Sequence, residues 1–321
     1  MKKFRRKLLS FSILMGVLIL VACSEDHDEK NASDGEAAGD EPIEIVTTIA
    51  QIGDPISKIG GDLVRVDTLM GPSVDPHLYN PTQSDISKLD GADIVFYSGL
   101  NLEANMVEPL ESISSEKTVL AIGETLPEDT LLEDEEEPGA PDPHIWFDYN
   151  LWQDALDAAV EKLKEYAPEH ADEFEEGKQD YFAQLEELDE GAEKLQNIPS
   201  DQRILVTAHD AFNYFGKLHD IEVVGLQGIS TESEAGVSDV NDTIAIIEEH
   251  KVPAIFVESS VNQDTINAVI EGAADNGIDV EIGGELYSDA MGEEGTEEGT
   301  YIGMYKYNVD TIYEALSEGD E

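Results

Sequence analysis

Residues 168–197 read PEHADEFEEGKQDYFAQLEELDEGAEKLQN, a stretch that opens on Pro168 and stops just short of Pro199. Proline is favoured at the first position of a helix and breaks a helix from within. The two prolines therefore bracket one predicted helix, about 45 Å long at 1.5 Å per residue. A helix of that length does not fit inside a small α/β lobe. It predicts a rigid strut joining two lobes. Gly177 and Gly191 weaken it locally without breaking it.

Both flanks of the strut carry the same pattern. Short apolar, β-branched runs fall at 43–49, 63–69, 94–97 and 119–122 before it, and at 204–207, 222–226, 254–257 and 280–282 after it. Such continuous runs suit strands buried on both faces, as in parallel sheets. Helical segments separate most of them. One starts at Thr82 with Asp85 three residues on, a capping-box pattern. Another starts near Asn150 and lines Leu151, Ala155, Leu156, Ala159, Val160 and Leu163 along one face. The expected fold class is α/β: two lobes, each with a four-stranded, mainly parallel sheet flanked by helices. The expected boundaries are 43–166 for the N-terminal lobe, 167–198 for the connecting helix and 199–321 for the C-terminal lobe.

The N-terminus has a different character. Lys2, Lys3, Arg5, Arg6 and Lys7 precede an apolar run that ends in Leu20-Val21-Ala22-Cys23. The run is short for a membrane span and has the layout of a secretory signal over 1–22. Its ending resembles a bacterial lipobox, which implies lipidation of Cys23. As Cys23 is the sole cysteine, the chain contains no internal disulfide. Residues 23–42 are polar and low in complexity, and predict a disordered acidic tether. The protein is expected outside the cell, held by lipid on the outer face of the cytoplasmic membrane.

The formal charge of the 321-residue chain is −54, and loss of 1–22 removes five of its 18 cations and no acid. Self-repulsion on this scale weakens a compact fold in dilute buffer and is screened by salt. The charge predicts a surface adapted to high salt. It excludes nucleic acid as a partner, since nothing neutralises phosphates.

Three histidines fall at or beyond predicted strand ends: His77, His144 and His209. Asp289 follows the last strand in the same way. Open α/β sheets bind ligands beyond the carboxyl ends of their strands. The four are separated by 67, 65 and 80 residues, so only the tertiary fold can bring them together, two from each lobe. Three neutral imidazoles and one carboxylate suit a borderline divalent cation. The tripeptide Asp-Pro-His occurs twice, at 75–77 and 142–144. Proline sets the backbone ahead of each ligand, and Asp75 and Asp142 are placed to orient the imidazoles. Each of the other histidines, His27, His170, His219 and His250, reads as an ordinary surface or core residue.

These residues sit in motifs that resemble a known family. Val74-Asp75-Pro76-His77, Asp142-Pro143-His144-Ile145-Trp146, Ala208-His209-Asp210-Ala211-Phe212, Gly228-Ile229-Ser230-Thr231 and Gly284-Glu285-Leu286-Tyr287-Ser288-Asp289 are similar to those of the TroA-like solute-binding lipoproteins of bacterial ABC importers. The resemblance runs from about residue 43 to the C-terminus. It implies one Mn2+ or Zn2+ ion held between two lobes by His77, His144, His209 and Asp289. It further implies delivery to an ABC permease with a cytoplasmic ATPase, by a protein expected to act as a monomer. No phosphate-binding Gly-x-x-x-x-Gly-Lys loop occurs, so the ATPase is a different chain. Three imidazoles favour zinc. The absence of a histidine-rich loop before the second ligand, where this chain has the acidic run 133–137, and the likeness of the C-terminal region to manganese-uptake members favour manganese.

Other signals are weaker. Glu258, at a strand end, is a candidate to approach the cleft. Trp146 and Trp152 read as packing residues, and the glycine- and glutamate-rich 292–299 as a mobile acidic loop. Two alternatives stand beside the transporter reading: a zinc-dependent hydrolase, and a surface adhesin with incidental metal. A hydrolytic zinc keeps an open position, and the chain lacks a His-Glu-x-x-His helix.

Overall fold

A computed structural model of the chain describes residues 41–134 and 137–317. The predicted signal segment 1–22, Cys23 with its expected lipidation, nearly all of the expected tether, and His27 lie outside the described residues. Seventeen elements are positioned. The first part holds β1 (Ile43–Thr47), α1 (Ala50–Gly60), β2 (Val64–Thr68), α2 (Gln83–Gly91), β3 (Ile94–Tyr97), α3 (Val107–Ser114), β4 (Thr118–Ala121) and α4 (Tyr149–Tyr166). After α5 (Ala171–Ala192) come β5 (Ile204–His209), α6 (Asn213–His219), β6 (Glu222–Gln227), α7 (Val237–His250), β7 (Ala254–Glu258), α8 (Asp264–Asp275), β8 (Glu281–Leu286) and α9 (Tyr301–Ser317). No helix among the described residues is long and apolar enough to cross a membrane.

The stretch between the prolines is helical from end to end. A 3-10 turn at Pro168–His170 leads into α5, which continues into a 3-10 segment at Glu193–Asn197. Gly177 is a contact point. A Cβ there would lie 2.2 Å from the carbonyl oxygen of Ile59, so only glycine lets α1 approach the strut this closely.

The N-terminal sheet is four-stranded and wholly parallel in the order β2-β1-β3-β4. Its central strands, IEIVT and IVFY, are almost entirely buried, while edge strand β2 (VRVDT) alternates between half-buried and exposed positions. That is the burial expected for helix-covered central strands and a charged edge.

The C-terminal part departs from the expected single sheet. Its four strands form two parallel pairs, β5-β6 and β7-β8, with no hydrogen-bonded ladder joining them. β5 still lies beside β7. Where β5 ends, the amide of His209 donates to the Glu258 side chain at 2.9 Å instead of to a strand carbonyl. β8 is also longer than the run 280–282 indicated, extending through Gly283 and Gly284 to Leu286. Close packing explains the glycines: a Cβ on Gly283 would meet Ala315 at 2.7 Å, and one on Gly284 would meet Thr311 at 2.5 Å, both on α9.

Two apolar cores result. The smaller is built from β5, β6, β7, α7 and α8, with Val252 and Val280 beside them. The larger combines the N-terminal sheet with α4, α5 and α9, so the final helix packs on α5 and α1 as well as on β8. From α9, the Tyr301 hydroxyl donates to the Trp146 carbonyl at 2.6 Å and the Tyr305 hydroxyl to the Phe147 carbonyl at 3.3 Å. These bonds anchor the turn that follows His144.

Candidate metal centre

Each of the four sequence-predicted residues lies on a different segment. His77 sits in the loop between β2 and α2, where the Gly71–Asp75 bend includes Ser73 at φ 60°. His144 precedes the 3-10 turn Ile145–Phe147 that leads into α4. His209 is the last residue of β5, which runs two residues past the expected 204–207. Asp289 lies just past β8. All four are buried, and one donor atom from each falls within 4.8 Å of all the others.

The contacts converge on the carboxylate. Asp289 Oδ1 lies 3.2 Å from His144 Nε2, and Oδ2 lies 3.3 Å from His209 Nε2 and 3.8 Å from His77 Nε2. His77 Nε2 and His144 Nε2 are 3.4 Å apart. Tetrahedral ligands at ~2.0–2.1 Å from a zinc ion would be about 3.3 Å from one another, close to these separations. Both oxygens of Asp289 and Nε2 of His209 are buried without a properly angled hydrogen bond. Unpartnered buried polar atoms are costly and rare. A cation at the centre would satisfy all three.

A second set of side chains holds the imidazoles from behind. Asp142 Oδ1 lies 2.7 Å from His144 Nδ1 and accepts the His144 backbone amide at 2.9 Å. Glu258 Oε2 lies 2.6 Å from His209 Nδ1, though the angle is poor for a hydrogen bond, and its Oε1 takes the His209 amide. Asp142 bonds Nδ1 of His144 and Glu258 faces Nδ1 of His209, which leaves each Nε2 lone pair directed inward and makes the imidazole a stronger donor to a metal.

Electrostatics follow from burial and these carboxylates. Burial pulls the His77 imidazole down to about 3. Burial acts on His144 in the same sense, but Asp142 and Asp289 together outweigh it and push the ring up to about 9. His209 is likewise raised well above the usual range, because Glu258 and Asp289 overcome its burial. The same imidazoles overcome the desolvation of Asp289 and hold its carboxyl well below the ordinary value. The metal-free site therefore keeps protons where a divalent cation would compete with them.

Several sequence readings are refined here. Glu258 does reach the site, as a support for His209. Asp142 orients its imidazole as expected. Asp75 does not: its Oδ1 takes the backbone amide of His77 at 2.9 Å, and its Oδ2 accepts from Thr231 Oγ1 at 2.6 Å. Thr231, the last residue of the Gly-Ile-Ser-Thr motif, thus ties the His77 loop to the C-terminal part. Trp146 is more than packing. Its ring meets that of His144 edge-on at 5.3 Å, and its Nε1 donates to the Ser288 carbonyl at 3.2 Å. Trp152 is buried in the core as expected. His170, His219 and His250 are not part of the group. Residues 292–299 fold into turns closed by backbone bonds. Of the acidic run 133–137, Glu133 pairs with Pro141 in an isolated bridge, and residues 135 and 136 lie outside the described residues.

Sequence reasoning missed Gln51, whose Nε2 also donates to the Ser288 carbonyl at 3.1 Å. It missed Asn213 and Tyr214 too, which bond the Asp142 carboxylate at 3.3 Å and the Asp142 carbonyl at 3.0 Å. No residue-type pattern marks such supports, because each acts across the fold.

Comparison with known proteins shows the family of the chain. Residues 45–315 match the family model of ZnuA, described as the periplasmic zinc-uptake complex component A. The chain belongs to the ZnuA family. The manganese-binding lipoprotein MntA of Bacillus subtilis is 43% identical over 312 residues, covering 97% of this chain and 99% of MntA. The zinc-binding protein TroA of Treponema pallidum is 44% identical over 283 residues, covering 88% of this chain and 91% of TroA. The solved TroA structure superposes with a TM-score of 0.83, covering 86% of this chain and 99% of that one. Each of these ZnuA-family relatives is named for a metal it binds or takes up, and none for a reaction.

Proposed function

We propose that the protein is the metal-capturing, solute-binding lipoprotein of an ABC importer for Mn2+ or Zn2+. The convergence of three imidazole Nε2 atoms and the Asp289 carboxylate within 4.8 Å carries this reading. The ion exchanges its hydration shell for His77, His144, His209 and Asp289 and is carried as cargo. Three features argue for a cargo site. The imidazoles supply neutral donors, the single carboxylate leaves net positive charge on a 2+ ion, and the carboxylates behind His144 and His209 strengthen their donors.

In this reading residues 43–166 and 199–321 are the two lobes. Cys23 carries the lipid on the outer face of the cytoplasmic membrane, and the protein works as a monomer. A permease receives the ion, and an ATPase on the cytoplasmic side drives uptake. The strut and the tyrosine bonds from α9 favour small lobe movements over a wide hinge. Apo and metal-loaded crystal structures should keep nearly the same lobe orientation, and a swing of tens of degrees would overturn that part.

The test is metal content and Mn2+/Zn2+ competition on the purified protein, on His144→Ala and on His209→Glu. One ion should bind per chain, and His144→Ala should lose it. The glutamate should shift preference toward manganese, because a carboxylate is the harder ligand. Retention of the ion by His144→Ala would end the proposal.

A further inference from the structure

We propose that Gln51 and Trp146 are positioning residues for Asp289, acting through the carbonyl of the residue before it; the inference rests on the metal-capture reading above. Asp289 is the only one of the four that is anionic, and it sits on the loop that follows β8. A ligand on a loop holds its place only if the loop backbone is held. The Ser288 carbonyl receives Gln51 Nε2 at 3.1 Å and Trp146 Nε1 at 3.2 Å. A carbonyl oxygen has two lone pairs, and these two donors occupy both. Gln51, Trp146 and Ser288 are fully buried, so water does not substitute for either bond.

Both donors come from the N-terminal part, Gln51 from the first turn of α1 and Trp146 from the turn after His144. The carbonyl belongs to the C-terminal part. It is therefore the point at which the Asp289 carboxylate is set in register with His77 and His144. Trp146 joins the two most directly, since the same indole meets the His144 ring and bonds the backbone beside Asp289.

A further observation concerns Gln51 itself. Its Oε1 is buried with no hydrogen-bond partner. An unpartnered amide oxygen is a standing penalty that an aliphatic side chain would avoid. Only the Nε2 donation gives the amide a use in this position.

The consequence is selective. Zinc is held strongly by imidazole, whereas manganese stands lowest in the divalent series and depends more on the hard carboxylate. Loosening Asp289 should therefore cost Mn2+ more than Zn2+. General loss of structure would weaken both ions alike.

The experiment measures Mn2+ and Zn2+ dissociation constants by chelator competition for wild type, Gln51→Met, Trp146→Phe and the double variant. Melting of each metal-free protein is recorded alongside. Gln51→Met keeps the shape and removes the donor. It should weaken Mn2+ about tenfold and Zn2+ by about threefold or less. The double variant should lose more than the product of the single losses, because one remaining donor still holds the carbonyl. Unchanged affinities, or equal losses for both ions, would overturn the inference while leaving metal capture intact. A wild-type protein that binds neither ion would overturn both. Should the variants not fold, the wild type decides. Binding and clamping are reciprocal, so the Trp146 indole N–H should exchange with solvent about tenfold more slowly in the Zn2+-loaded protein. Equal exchange rates would count against the clamp.

Discussion

The tripeptide Asp-Pro-His occurs at 75–77 and again at 142–144, and in both copies the aspartate accepts the backbone amide of its histidine at 2.9 Å. There the likeness ends. Asp142 is fully buried and also takes the Nδ1 of His144, while Asn213 and Tyr214 reach it from the C-terminal part. Asp75 is half-buried and spends its second oxygen on Thr231. Among the described residues, the His77 imidazole makes its polar contacts only with His144 and Asp289. One copy holds a braced imidazole, and the other an imidazole on a loop that the Asp75–Thr231 bond ties to the C-terminal part. The local turn is a property of the tripeptide, and the side-chain partner is a property of what packs against it.

The sharpest break would come from deleting the imidazoles. His144→Ala should reduce metal affinity more than His77→Ala, and by well over the about 10- to 100-fold that a supporting partner contributes. Calorimetry or chelator competition with Zn2+ would show it, and equal losses would erase the distinction. Next, Asp142→Ala should weaken binding by about 10- to 100-fold, whereas Asp75→Ala should cost only a few-fold, because it frees a loop without altering an imidazole.

Proton competition sharpens the same contrast. His144 is held at about 9 and must release a proton to accept a metal, so affinity should rise with pH below 9, by about tenfold per unit for each proton released. His77, pulled down to about 3, is already neutral at working pH and adds nothing to that slope. Asp142→Asn should flatten the dependence, and Asp75→Asn should leave it as steep. Affinities measured from pH 6 to 8.5 would check both. The smallest effect is expected from Thr231→Val, which removes one hydrogen bond worth about 1 kcal/mol. It should raise the metal dissociation rate a few-fold in stopped-flow, with the pH slope unchanged.

Much of the fold was legible because its signals are local. The two prolines delimit the strut, and Thr82 with Asp85 forms the capping box that starts α2. Seven of the expected strands are where the apolar runs lie, shifted by a residue or two at their ends. The eighth was cut short because Gly283 and Gly284 carry no strand signal, and their reason is the approach of α9. The division of β5–β8 into two pairs was not legible either, since nothing in a strand's own residues records whether its neighbour bonds to it.

The site divides in the same way. Its four principal residues could be named because histidine and aspartate at strand ends are chemically distinctive, and the repeated tripeptide marks two of them. From sequence, Trp146 reads as packing, because an indole in an apolar run has that use by default. Gln51 carried no signal at all. The sequence by itself determined the helical strut, the parallel sheet of the first lobe and the four donor side chains, because these depend on backbone propensity, apolar patterning and side-chain chemistry. Tertiary structure alone decided which carboxylate braces which imidazole, and which donors hold the carbonyl beside Asp289. Those are contacts between residues as far apart in the chain as Gln51 and Ser288, and only packing brings such pairs within hydrogen-bond range.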